Sequence, residues 1–219
     1  MLASFFVYMA NKFIPIRIPI DSIELKGDLI IPDKAQSIIV FAHGSGSSRL
    51  SPRNNYVAGV LNQAGFATLL FDLLSEEEDK YYENRFDIEL LIERLGAVNN
   101  WLKDKEETKN LKIGYFGAST GAAAALGVVS EFKINKGAIV SRGGRPDLAG
   151  NLLGDVKIPC LFIVGGDDRD VIELNRQSME KMNCVKKLDI IPGATHLFAE
   201  EGKLEEVAEL VLRWFKKYL

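Results

Sequence analysis

Cysteine and histidine are scarce: 219 residues hold two of each, Cys160 and Cys184, His43 and His196. No C-x-x-C motif can be built, and each cysteine borders an apolar run, the setting of reduced, buried thiols in a cytoplasmic protein. There is no H-E-x-x-H pattern and no Cys/His cluster, and the one carboxylate-rich turn, Asp167 to Asp170, fails the calcium-loop pattern, so no metal and no cofactor are expected. Charge of one sign is also missing. The 27 basic and 30 acidic residues give a net charge of −3 with lysine and arginine scattered, which removes the basic face that nucleic-acid binding requires. Long hydrophobic runs are absent. Leu2 to Ala10 is apolar, but no basic residue precedes it and Asn11 and Lys12 close it well short of the roughly 20 residues that span a bilayer. Residues 1–12 read as a leader, flexible or docked, and no membrane partner is expected. Repeats, low-complexity tracts and Pro/Gly/Ser linkers are missing as well, which leaves one domain over 1–219.

What is present is an alternation of short β-branched or aromatic runs with longer segments of helical period, the pattern of a mostly parallel sheet of about eight strands with helices on both faces. Ile16 to Ile20 and Ile23 to Ile31 are too close for a parallel crossover and read as an antiparallel pair. Buried strands follow at Ser37 to Ala42, Ala67 to Phe71, Lys112 to Phe116, Gly137 to Val140, Pro159 to Val164 and Lys187 to Ile191. Ser51 before Pro52 starts a helix that Gly65 stops. Leu91, Leu95, Val98 and Leu102 stripe a second helix, and Leu204, Val207, Val211 and Trp214 the last.

Gly117-Ala118-Ser119-Thr120-Gly121 ends one strand and opens the Ala-rich helix of Ala122 to Val129. This is G-x-S-x-G in a strand-turn-helix setting, where small neighbours let the two backbones approach and the helix N-terminus favours developing negative charge. Ser119 is the candidate nucleophile. His43-Gly44-Ser45-Gly46-Ser47-Ser48 lacks both the third glycine of a dinucleotide fingerprint and the lysine of a P-loop. Its use is to offer an amide, from Ser45, that joins the amide of Thr120 in an oxyanion hole. Of the two histidines, His43 ends a strand where packing against backbone is the usual role. His196 lies in a loop between the last strand and the last helix and is the candidate base. The acid belongs to Gly165-Gly166-Asp167-Asp168-Arg169-Asp170. Asp170, with Glu173 three residues on, reads as a helix N-cap, and the residues themselves leave Asp167 and Asp168 equal.

With Ser119, this acid loop and His196 in the order Ser, Asp, His, the chain from Leu25 to Trp214 resembles the α/β-hydrolase superfamily, and more narrowly its dienelactone hydrolase branch. The small size, the His43–Ser48 turn followed by Ser51-Pro52-Arg53-Asn54, and Ser141-Arg142-Gly143-Gly144-Arg145-Pro146-Asp147 carry the resemblance. The family form G-x-x-D-x-x-V, met by Gly165, Asp168 and Val171, implies Asp168 as the acid. Dienelactone hydrolases proper carry cysteine where this chain has Ser119. The resemblance implies an esterase-like serine hydrolase of small soluble molecules, without cofactor, monomeric or dimeric. The alternative is a non-catalytic member that keeps the fold to bind a ligand.

Ser141 to Ile158 has room for only a short helix, so no large cap domain is expected over the site. The acidic run Glu76 to Asp79 reads as solvated surface. His43, Gly44, Arg142 and Arg145 are candidate substrate-binding residues, the arginines because their planar forks suit a carboxylate; the alternative is that the arginines pair with Asp147 or other local carboxylates and fix loops.

Overall fold

The computed structural model describes residues 12–219. The apolar run Leu2 to Ala10 lies outside them, and Lys12, expected in the leader, opens the first strand. The strands are β1 (Lys12–Ile20), β2 (Ile23–Ile31), β3 (Ser37–Ala42), β4 (Ala67–Phe71), β5 (Lys112–Ala118), β6 (Ala138–Arg142), β7 (Cys160–Gly165) and β8 (Lys186–Ile191). They form one sheet in the order β1-β2-β4-β3-β5-β6-β7-β8. β1 and β2 pair antiparallel across a two-residue turn, β2 pairs antiparallel with β4, and every other pair is parallel. This is the eight-stranded α/β-hydrolase sheet.

The parallel strands are apolar on both faces because both faces are covered. In β3, Ile38, Val40 and Ala42 point into one core with Tyr115 and Phe162, while Ile39 and Phe41 point into the other with Phe116 and Val140. Helices α2 (Ile88–Asp104) and α3 (Thr120–Glu131) close the first core, and α1 (Pro52–Gln63) and α5 (Lys203–Tyr218) close the second. The expected stripe of α2, Leu91 to Leu102, is buried throughout. At the edge of the sheet β8 is only half apolar, with Lys186 and Lys187 exposed. Such charges discourage pairing with another strand.

Capping follows the residues. Ser51 accepts a hydrogen bond from Asn54 N–H at 3.4 Å with Pro52 at the first helical position of α1. The acidic run is less solvated than its composition suggests. Glu78 turns back to accept hydrogen bonds from Arg94, each side chain only 17% exposed, and Asp79 pairs with Arg85 at 2.8 Å. Between β6 and β7 the chain makes a 3-10 segment, Pro146–Asp155, kinked at Gly150. It packs on α3 and on α4 (Arg169–Glu180) rather than forming a cap over the site.

From β3 the chain runs outward to β4 on one side, whereas β5 lies on the other. The carboxyl ends of β3 and β5 therefore flank a switch in strand order, where open α/β sheets bind their ligands.

Candidate active site

Ser119 stands at that switch, between the end of β5 and the first residue of α3, with φ 50° and ψ −121°. A non-glycine residue held there stores on the order of 1–3 kcal/mol. Its surroundings explain why the conformation persists. A Cβ on Gly117 would lie 2.4 Å from Ala122 Cα, and one on Gly121 2.2 Å from the Ala42 carbonyl oxygen. The two motif glycines thus let strand, helix and the end of β3 meet backbone to backbone. The Ser119 N–H donates to the Arg142 carbonyl at 3.3 Å, and its own carbonyl accepts from Ala122 N–H at 3.1 Å and Arg145 N–H at 3.0 Å. Gly44 presses on the serine from the other side, where a Cβ would sit 3.0 Å from Ser119 Cβ.

The candidate acid and base meet across two loops. Asp168 Oδ2 accepts from His196 Nδ1 at 2.6 Å, the side chains 16% and 38% exposed. A Cβ on Gly165 would lie 2.3 Å from the Ala194 carbonyl oxygen, so the loop after β7 can pack directly on the loop after β8. Asp167 N–H bonds that Ala194 carbonyl at 3.0 Å while the residue itself is exposed, which leaves Asp168 facing the imidazole. The cap expected at Asp170 is corrected here. Asp168 occupies the N-cap position of α4 with no capping bond from its side chain, and Asp170 lies exposed in the first turn. The carboxylate that could have capped the helix is spent on His196. Thr195 N–H and Oγ1–H both donate to Glu200, at 3.1 and 2.6 Å, and hold the histidine loop in shape.

Gly143, φ 52°, follows Arg142 and lies beneath the imidazole, where a Cβ would be 3.5 Å from His196 Cε1. The residue whose carbonyl holds Ser119 is therefore next to the one that supports His196. Among the described residues Ser119 Oγ makes no hydrogen bond to His196. Catalytic contacts of this kind are often long without substrate.

His43 is fixed by backbone at both ring nitrogens. Its Nδ1 meets the Gly44 carbonyl at 2.9 Å, and Leu73 N–H donates to its Nε2 at 3.0 Å. An imidazole that accepts at one nitrogen and donates at the other is neutral. Burial holds its pKa below the ordinary histidine value. It walls a cleft of about 10 Å³, shared with Gly44, Leu73, Leu74, Arg85 and Thr120, and keeps no polar atom for a substrate. A larger cavity of about 820 Å³ lies beside Lys112, at the opposite edge of the sheet.

The arginines part company. Arg145 is tied to Asp147 through two hydrogen bonds at 2.9 and 2.8 Å and fixes its own loop. Arg142 is only 6% exposed, donates to Asn54 Oδ1 at 3.3 Å and packs over the Phe198 ring at 5.9 Å. Neither lines the cleft beside His43. Arg142 has no carboxylate partner among the described residues, and burial, helped by the charge of Arg53, brings its pKa down to about 10. Arg53 follows the glycine turn on α1 with a buried Nε that has no hydrogen-bond partner.

A family profile described as the dienelactone hydrolase family matches residues 25–219. The chain is 50% identical to a dienelactone hydrolase from Anabaena variabilis, covering 95% of this chain and 99% of that one with a TM-score of 0.92. Est1E from Butyrivibrio proteoclasticus has the same fold, with a TM-score of 0.77 at 19% identity over 93% of this chain and 98% of its own. Two strains of Mycobacterium tuberculosis carry a protein provisionally named a phosphoribosyl transferase that is 54% identical over 197 residues. Those residues make 90% of this chain but 44% of the relatives, so the chain spans less than half their length. No described helix is long and apolar enough to cross a membrane.

Proposed function

The chain belongs to the dienelactone hydrolase family, and from that premise we propose that it is a serine hydrolase of small soluble esters, lactones or thioesters, working through an acyl-enzyme. The observation that carries this reading is the 2.6 Å contact between Asp168 and His196, set beside a serine held at φ 50° on a helix N-terminus. With Nδ1–H given to Asp168, the Nε2 lone pair of His196 takes the Ser119 proton as Oγ attacks the carbonyl, and Asp168 stabilises the imidazolium that forms. The oxyanion develops at the N-terminus of α3, where the Thr120 amide is one donor and the Ser45 amide of the His43–Ser48 turn acts through the Thr120 hydroxyl, whose oxygen it bonds at 2.9 Å. His196 returns its proton to the leaving group. Water activated by the same imidazole then releases the acid. Every group in these steps comes from this chain or from water.

Among the described residues the Pro146–Asp155 segment packs on α3 and α4 and not over the site, which favours small soluble substrates. Arg53 and Arg142, two guanidinium groups without a carboxylate partner among the described residues, put positive potential beside the loop that carries His196. This favours a substrate bearing a carboxylate. The transferase name of the mycobacterial relatives describes proteins of which this chain spans 44%, and the reaction proposed for this chain is acyl transfer to water.

Labelling with a fluorophosphonate tests the reading. Wild type is expected to be labelled at Ser119 and to hydrolyse p-nitrophenyl acetate with a burst, and Ser119→Ala to lose both while keeping its thermal transition. Removal of one member of such a triad costs several orders of magnitude in rate. No labelling of wild type would leave a non-catalytic, ligand-binding member of the family.

A further inference from the structure

The chain's two thiols lie outside the site, and the sheet brings them together. Cys160 opens β7, and Cys184 sits in the connection from α4 to β8. Parallel pairing sets Cys160 against Lys186, and Cys160 N–H donates to the Val185 carbonyl at 2.9 Å. The two sulfurs, 24 residues apart in sequence, come within 4.0 Å, and both are free thiols.

Their surroundings are opposed. Cys160 is fully buried, with its S–H against the Ile158 carbonyl at 3.3 Å, and burial pushes its thiol well above the ordinary range. Cys184 is half-buried between exposed Asn183 and Val185. Contact with the Cys160 sulfur, together with the ammonium groups of Lys186 and Lys157, brings its thiol down to about 7 against the opposing effect of burial. A reachable thiolate with a second sulfur in contact behind it is the arrangement that oxidants convert to a disulfide.

We infer that Cys184 and Cys160 form a redox-reactive pair, in which Cys184 reduces a hydroperoxide and Cys160 resolves the product to an intramolecular disulfide. The Cys184 thiolate attacks one peroxide oxygen, an S–O bond forms and the O–O bond breaks. The departing alkoxide takes a proton from solvent to become an alcohol, or water when the oxidant is hydrogen peroxide. The Cys160 sulfur then displaces the hydroxyl from the Cys184 sulfenic acid. An S–S bond forms, the S–O bond breaks, and the hydroxyl leaves with the Cys160 proton as water. Two thiols supply the two electrons that reduce one peroxide.

The position gives the bond a consequence. β7 leads to Asp168 and β8 to His196, so the bridge would join the strands that carry acid and base, at their far ends. Six residues of β7 separate the bridge from the acid loop by about 20 Å at roughly 3.3 Å per residue. Oxidation is therefore expected to leave the active-site geometry alone and to stabilise the fold by restricting the unfolded chain.

The test treats the purified full chain with hydrogen peroxide, blocks remaining thiols with N-ethylmaleimide and maps the peptides. A linked Cys160–Cys184 peptide in a monomeric chain is expected, with Tm raised by about 3–10 °C and restored by dithiothreitol. Cys160→Ala is expected to leave a Cys184 sulfenic acid that dimedone traps, and Cys184→Ser to leave Cys160 reduced. Two alkylated thiols in treated wild type, Cys184 sulfinic acid without a cross-link, or disulfides between chains would each overturn the inference. None of these readouts depends on the protein being a hydrolase.

Discussion

The Ser45 amide donates to the Thr120 hydroxyl oxygen at 2.9 Å, so the glycine turn after β3 is bonded to the residue that follows Ser119. With its oxygen engaged as acceptor, the Thr120 hydroxyl keeps its own proton free to turn towards a developing oxyanion. Loss of one oxyanion donor costs about 10²–10³ in kcat in a well-studied protease. Thr120→Val keeps the main-chain amide and nearly the same volume but removes the hydroxyl, and is expected to lower kcat at least tenfold with KM little changed. Thr120→Ser is expected to stay within about threefold of wild type. A rise in kcat for the valine variant would mean that the hydroxyl only occupies the Ser45 amide until substrate displaces it.

Asp167 and Asp168 differ in orientation, not in chemistry. Only Asp168 reaches His196, at 2.6 Å, whereas Asp167 is exposed. Asp168→Asn puts an amide against Nδ1 that favours the wrong imidazole tautomer, for which a loss of about 10⁴ in kcat is known in a serine protease. Asp167→Asn is expected to fall within about twofold, since surface substitutions are small in effect. Steady-state hydrolysis by the two variants, compared at one pH, decides the assignment. Equal losses would remove Asp168 from its role.

Those neighbours also mark where the sequence stops being legible. The strands could be read because a two-faced core demands near-continuous apolar runs, as in Ser37–Ala42, and Ser119 because G-x-S-x-G requires particular small residues on either side. The choice of acid depends on Gly165 meeting Ala194 and Thr195, a contact between loops far apart in the chain. Glu173, three residues after Asp170, imitates a capping box, while α4 begins two residues earlier than that box implies, with the Asp168 carbonyl accepting from Ile172 N–H. Cys160 and Cys184 lack any local motif because their contact comes from the pairing of β7 with β8. No local pattern marks Glu78 reaching Arg94, whereas Arg145 takes Asp147, the local partner its own sequence offered.

His43 makes the stability depend on pH. Burial holds its folded-state pKa below the ordinary value near 6.5, so the unfolded chain binds the proton more readily. Its contribution is fully present above about pH 6.5 and is lost as pH falls through the folded-state value. His43→Asn, which keeps polar atoms but does not titrate, is expected to lower stability at pH 7.5 and to flatten the decline below about pH 6.5. Urea unfolding of both proteins across that range measures the slopes. Parallel curves would show that His43 contributes nothing to the acid limb.

The arginines test the proposed preference for an anionic substrate. Arg145 already has Asp147, so its removal should act on loop order and not on selectivity. Arg142 is held by Asn54 and the Phe198 ring, two residues from His196, with Arg53 as a like-charged neighbour. Two cations with no carboxylate between them cost stability, and an anionic substrate would offset that cost. A charge-assisted hydrogen bond contributes about 1.5–3 kcal/mol. Arg53→Gln is therefore expected to lower kcat/KM for a carboxylate-bearing ester at least tenfold relative to its neutral isostere, whereas Arg145→Gln should lower both esters together or neither. Arg142→Met tests the same field from the buried side. It is expected to lose selectivity while keeping the fold, because exchanging a buried charge for a similar apolar volume is often neutral for stability. If Arg53→Gln and Arg142→Met both leave the ratio of the two esters unchanged, the guanidinium pair braces α1 against β6 and the preference for an anionic substrate falls.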